Sequence, residues 1–169
     1  TKRETVDSVL ELKHDLVREA LLMTGIKSGV EIWTPADIPS SGSGLGSSST
    51  LTVGLLNAFY TFQGTQVTAE QLAQKSCNIE IDILERPVGK QDHYAAAFGG
   101  LNMINFACNG DVNVEPVASE QMARSELFPS VILLYTGISR SASTVLTEQN
   151  SNARETKADL VTIREHAFQ

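Results

Sequence analysis

Apolar positions recur at helical spacing over residues 5–24, through Val6, Val9, Leu10, Leu16, Val17, Ala20 and Leu21, and Gly25 follows as a stop. The spacing predicts one amphipathic helix there. The next segment, "GVEIWTP", alternates Val30 and Ile32 inward with Glu31 and Trp33 outward, which predicts a short strand ended by Pro35. After a glycine- and serine-rich stretch, "STLTVGLLNAFYTFQG" reads as a largely buried helix closed by Gly64. Thr68 with Gln71 forms a capping box for a further helix running to about Glu85. Pro87 and Gly89 break it, and a short helix is expected from near Gln91 to Gly99–Gly100. The period then changes from helical to alternating: "LNMINF" and "VNVEPV" flank Asn109–Gly110, a strong hairpin signal. "VILLYTG" predicts a buried strand, and residues 141–169 look helical.

The stretch between the first strand and the second helix, "DIPSSGSGLGSSSTL", is open to three readings: a flexible linker, a plain turn, or a cradle for an anion. A linker joins units that stand alone, which a short strand and a hydrophobic helix do not. A plain turn needs one or two glycines. Here Gly42, Gly44 and Gly46 allow positive φ and close backbone approach, while Ser47, Ser48 and Ser49 fall where a helix start presents N–H groups. Ser43 and Leu45 lie between those glycines. The loop therefore predicts phosphate binding. It is not a Walker A loop, because no Lys follows the last glycine, and Ser47 takes the place of the third glycine of a dinucleotide fingerprint.

Composition narrows the ligand class. The 169 residues suffice for one domain, or one domain and part of another, and 41% hydrophobic with 20% charged residues reads as globular. The formal charge of −7, without a basic stripe, argues against a nucleic-acid partner. No apolar run approaches the roughly 20 residues of a membrane span, and no signal-peptide pattern is present. Cys77 and Cys108 stand far apart outside any CxxC arrangement, so reduced thiols in a cytoplasmic protein are expected. Thr1 is not an initiator Met and the terminal "NARETKADLVTIREHAFQ" is helical without a cap, so the chain reads as a piece cut at both ends.

A nucleoside triphosphate needs Mg²⁺, and candidate ligands are acidic residues on otherwise apolar faces. Glu80 is one, sharing a helix side with Ala73, Cys77 and Leu84; the plainer reading is a Glu at the edge of the buried stripe. Asp92 opens an alanine-rich helix in "GKQDHYAAAFGG" beside Lys90. It serves either as an N-cap or as an acceptor for a substrate hydroxyl proton. His93 points about 100° away from Asp92 on a helix and reads as structural. His14 and Arg18, four residues apart, read as a surface pair.

In this order the pieces resemble the GHMP kinase superfamily, the galactokinase, homoserine, mevalonate and phosphomevalonate kinases. The superfamily's second motif, Pro-x-x-x-Gly-Leu-Gly-Ser-Ser, looks like Pro39 through Ser48 if one extra residue precedes Gly44. Glu80 and Asp92 follow at a separation similar to that in galactokinase-like members. "GKQDHYAAAFGGLNMINF" and "LLYTGISRSAS" look most like bacterial D-glycero-D-manno-heptose 7-phosphate kinases, which make a heptose 1,7-bisphosphate. The resemblance implies an α+β fold: an ATP-binding domain like the second domain of ribosomal protein S5 over residues 1–128, then the start of a ferredoxin-like domain over 129–169.

The resemblance further implies that residues 42–49 cradle the ATP phosphates, with the Ser48 hydroxyl and Glu80 carboxylate on Mg²⁺. Asp92 would orient and deprotonate the anomeric hydroxyl, and Gly137 and Arg140 would lie near the sugar, Arg140 beside a substrate phosphate or paired with a surface carboxylate. His93 stands where close heptose-kinase relatives are expected to carry Gln. The superfamily's first and third motifs are absent, so these 169 residues alone are expected to be inactive. A kinase for an unphosphorylated sugar, a non-catalytic nucleotide sensor and a structural α+β domain are the competing readings. The sensor has no need of Asp92, and the structural domain leaves three matching positions to coincidence.

Overall fold

In the computed structural model the described residues are 3–36, 44–117, 128–132, 134, 146–147 and 157–166. The first regular elements among the described residues are a short 3-10 turn, Val9–Glu11, and helix α1, Asp15–Thr24. The single helix expected over 5–24 is therefore divided. Ser8 accepts a hydrogen bond from the Leu10 N–H, and Glu4 accepts one from the Lys13 N–H, so side chains hold this entry in a non-helical path. The stop is as expected: Gly25 caps α1 at φ 74°, a conformation that favours glycine.

Val30 and Ile32 pack against the core while Glu31 and Trp33 face solvent, so the alternation is correct. The segment nevertheless forms no strand, because a strand is defined by a ladder and no described segment pairs with it. Helix α2, Ser47–Phe62, follows, then α3, Ala69–Cys77, opened by the expected reciprocal bonds of Thr68 and Gln71. Beyond Cys77 the chain widens into a π-helical turn, Asn78–Ile83, with the Leu84 N–H bonded to the Ile79 carbonyl. Glu85, at φ 49°, ends it. Helix α4, Gln91–Phe98, stops at Gly99. Strands β1, Asn102–Phe106, and β2, Val112–Pro116, form an antiparallel hairpin with Ile104 opposite Val114.

Helices α1, α2 and α3 share one core. Helix α1 buries Leu16, Val17, Ala20 and Leu21; α2 contributes Val53, Leu55, Leu56 and Phe59; Leu72 and Ile79 close the cluster. Leu56 is wholly buried, so Leu56→Ala would cost about 2–5 kcal/mol. A second cluster joins Ala73, Cys77 and Tyr94 to Ile104, Val112 and Val114, seating the hairpin on α3 and α4. Tyr94 meets Phe106 edge-on, with ring centroids 6.2 Å apart.

A 3-10 turn, Phe128–Ser130, and helix α5, Lys157–His166, are the remaining elements. Of "VILLYTG", Val131, Ile132 and Leu134 are exposed and in no strand, which departs from the expected buried strand at those three positions, while residues 133 and 135–137 lie outside the described residues. The boundary expected at 128–129 adjoins residues 118–127, outside the described residues. No helix among the described residues is long and apolar enough to cross a membrane. The described content is helices with one two-stranded sheet, in agreement with an α+β assignment.

Candidate functional site

The glycine–serine stretch becomes describable at Gly44, so Gly42 and Ser43 lie outside the described residues, as do Gly137 and Arg140. Gly44 and Gly46 take φ 69° and 65°, the left-handed region that the sequence reading required of them. Leu45, between them, is exposed. Gly46 is the N-cap of α2, and its carbonyl accepts the first intrahelical bond, from the Thr50 N–H. Ser47, Ser48 and Ser49 form the first turn, where N–H groups point out of the helix end toward the positive pole of its dipole.

The serines divide by direction. Ser47 and Ser48 are half-buried at the mouth of the turn, whereas Ser49 is buried and turns inward. Its Oγ lies 3.4 Å from Nε2 of His93. The other ring nitrogen, Nδ1, lies 2.7 Å from the Ser76 Oγ on α3. Burial holds the His93 imidazole below its ordinary 6.5, against the opposing pull of the Glu80 and Asp92 charges, so the ring is neutral at pH 7. The reading of His93 as structural agrees with this placement.

Asp92, in the first turn of α4, is exposed and faces the glycine turn. A Cβ built on Gly46 would stand 3.2 Å from both Cγ and Oδ2 of Asp92. Glycine at 46 thus meets two demands at once, a positive φ and room for a carboxylate. The Lys90 Nζ donates to the Gly110 carbonyl at 3.2 Å, tying the start of α4 to the hairpin turn.

Glu80 comes from the π-helical turn and is wholly buried. Its Oε1 lies 3.1 Å from the Thr52 Oγ1, whose single hydrogen is shared between that oxygen and the Ser48 carbonyl at 2.9 Å, so one hydroxyl links Glu80 to the serine turn. Its Oε2 pairs with the Arg86 Nη1 at 3.2 Å. Arg86 then reaches Asp15 at the start of α1, Nη2 to Oδ2, 2.8 Å. Burial raises the Asp15 carboxyl, but the Arg86 hydrogen bond and charge outweigh it and hold the group below its ordinary 3.8. Arg86 is therefore a counter-ion to two carboxylates on separate elements.

Thr52, Ser76 and Arg86 are the site residues that sequence reading missed. Thr52 stands one helical turn after Ser48, a spacing that does signal its contact. Arg86 carried no such signal, because the π turn and the left-handed Glu85 bring it back onto Glu80. His14 and Arg18 do not pair as expected; Arg18 bonds Glu19 and the Leu12 carbonyl. Cys77, raised by burial to about 11, is an inert core thiol, and Cys108 is exposed.

No group of three or more His, Cys, Asp or Glu side chains converges on one point among the described residues. A divalent cation at this turn would thus rest on a hydroxyl, a carboxylate and phosphate oxygens, which is how magnesium is commonly held. Ser48 and Glu80, joined through Thr52, fit that donor set in chemistry. The Glu80 carboxylate accepts one bond at each oxygen, and a carboxylate has about four acceptor sites.

The model of the GHMP kinases N terminal domain matches residues 8–100. The chain is 39% identical over 112 residues to D-glycero-alpha-D-manno-heptose 7-phosphate kinase of Campylobacter jejuni, covering 66% of this chain and 33% of that protein. It is 31% identical over 125 residues to L-fucokinase/L-fucose-1-P guanylyltransferase of Bacteroides fragilis, covering 72% of this chain and 13% of that protein. Among solved structures, a D-glycero-D-manno-heptose 1-phosphate kinase from Bacteroides thetaiotaomicron is similar with a TM-score of 0.66 and 30% identity. That match covers 88% of this chain and 49% of the other, so the chain spans half or less of the length of each of these relatives.

Proposed function

The chain belongs to the GHMP kinases, and from that premise we propose that it carries the phosphate cradle and catalytic carboxylate of an ATP-dependent sugar-phosphate kinase. The observation that carries this reading is Asp92 against Gly46, which sets a carboxylate at the mouth of a helix N-terminus. A phosphate on the turn and a hydroxyl on Asp92 are then neighbours.

The segment Gly42, Ser43, Gly44, Leu45, Gly46, Ser47, Ser48 and Ser49 is proposed to bind the triphosphate through backbone N–H groups and the helix dipole. Ser49 contributes through its backbone, since its hydroxyl faces His93. Asp92 orients the anomeric hydroxyl and accepts its proton; the freed oxygen bonds to the γ-phosphorus, the β–γ bridge breaks, and ADP leaves. Magnesium, when bound, neutralises the charge that gathers on the phosphate oxygens, and Ser48 and Glu80 are the residues that would hold it. Thr52 and Arg86 keep the Glu80 carboxylate ordered beneath the turn. Positioning and charge dominate phosphoryl transfer, so this sparse set suffices in kind.

The acceptor proposed is a manno-heptose 7-phosphate, phosphorylated at the anomeric position. The Campylobacter and Bacteroides thetaiotaomicron relatives are both manno-heptose phosphate kinases by name, although the names differ in the position of the phosphate. Gly137 and Arg140 are proposed to lie beside the sugar, with Arg140 on the substrate phosphate. The fucokinase similarity favours a second reading, a kinase for an unphosphorylated sugar. ADP release by the intact protein, measured with heptose 7-phosphate, heptose 1-phosphate, fucose, galactose and mannose, separates the two. Turnover confined to the 7-phosphate supports the first reading, and turnover with free fucose alone overturns it.

A further inference from the structure

His93 is wholly buried, and both of its ring nitrogens are used. A neutral imidazole has one donor and one acceptor, and the two serines that engage them lie on different helices. Ser76 belongs to α3; Ser49 belongs to the first turn of α2, the turn that carries the phosphate cradle. The residue before His93 is Asp92, seated against Gly46 in the same turn. Helix α4 therefore touches the cradle twice, through adjacent residues facing different ways: one inward through an imidazole, one outward through a carboxylate.

An apolar side chain would fill this space without the cost of burying a polar ring. A polar ring there is retained at a cost unless both ends are satisfied, and they are: among the described residues no buried side-chain nitrogen or oxygen lacks a partner. The ring has a directional task that packing alone does not perform, since each hydrogen bond fixes one serine relative to α4.

We propose that His93 is a positioning residue that ties α3 through Ser76 to Ser49 in the first turn of α2, and so fixes Asp92 in register with the glycine–serine cradle. The proposal rests on the reading of that turn and Asp92 as a phosphoryl-transfer site. It assigns His93 no contact with substrate or nucleotide. Gln is the conservative test, because an amide also donates at one end and accepts at the other. Leu removes both bonds at similar volume, and Ser76→Ala removes only the distal one.

The experiment compares His93→Leu, His93→Gln and Ser76→Ala in the intact protein. Two readouts are used: amide hydrogen exchange over residues 50–53, the first N–H groups bonded within α2, without ligands, and kcat and KM for ATP at a temperature where every variant is folded. The brace predicts faster exchange at these first bonded amides of α2 in His93→Leu and in Ser76→Ala. It also predicts a kcat loss of about tenfold or more in His93→Leu, the scale of a misplaced reacting group, with most of the loss recovered in His93→Gln. Unchanged exchange in both His93→Leu and Ser76→Ala overturns the proposal. So does a Gln variant as impaired as Leu, or a Leu variant that lowers only the melting temperature. If the unsubstituted protein turns over no sugar, the kinase reading fails, while the exchange measurement still decides whether His93 braces the turn.

Discussion

Gly46 and Asp92 are in contact range such that a single added carbon at 46 would press on the carboxylate at 3.2 Å. Because Gly46 also holds φ 65°, Gly46→Ala combines backbone strain of roughly 1–2 kcal/mol with displacement of Asp92. Gly44, at φ 69°, has nothing within 4 Å of an added Cβ and isolates the strain. The expected outcome is a similar loss of stability for the two alanine variants, with a larger loss of kcat for Gly46→Ala. Chemical denaturation and steady-state kinetics on both variants check it.

Arg86 is the counter-ion of a wholly buried carboxylate. Removing it by Arg86→Ala leaves the buried Glu80 carboxyl without its counter-ion, and breaking a buried pair in this way costs about 3–5 kcal/mol. Glu80→Gln in the same chain removes the orphaned charge, so the double variant should be less destabilised than the sum of the singles. Urea unfolding of the four-member cycle measures this coupling. Additive losses would show that the pair is not coupled.

The neutral His93 makes stability depend on pH in a definite direction. Its folded-state pKa lies below the ordinary 6.5, so the unfolded chain takes up a proton before the folded one does. Stability is then fully present above 6.5 and declines as pH falls through 6.5 toward the folded value. His93→Gln should flatten that decline between pH 7 and roughly 5.5, above the range where carboxylates titrate. Denaturation midpoints of both proteins across the window check the difference. Equal slopes would mean that His93 does not titrate differently on folding.

Local rules were the legible part of this molecule. Gly25 as a stop, the Thr68–Gln71 box and the Asn109–Gly110 hairpin all depend on residues within a few positions of one another, and all stand where the pattern puts them. The positive φ at Gly44 and Gly46 followed from the same logic. Glu80 was legible as a carboxylate on an apolar face, because Ala73 and Cys77 mark that face and are buried. Its setting was not. A π turn shifts the helical phase, and the left-handed Glu85 then reverses the chain to deliver Arg86; neither leaves a periodic trace. The divided helix at 5–24 failed for a related reason, since side-chain bonds from Ser8 and Glu4 override an apolar spacing that was correct. Val30 and Ile32 show the complementary limit: alternation reports which side is buried, while a strand also requires a partner.

The central claim is that Asp92 at the Gly46 turn performs the proton-accepting role in phosphoryl transfer to a sugar. Asp92→Asn in the intact protein tests it, with ATP affinity measured by titration and kcat by coupled ADP release on heptose 7-phosphate. The account predicts near-unchanged ATP affinity with kcat reduced by about 10²–10⁴-fold, the scale of a lost general base. An Asp92→Asn protein that turns over at the unsubstituted rate would contradict it.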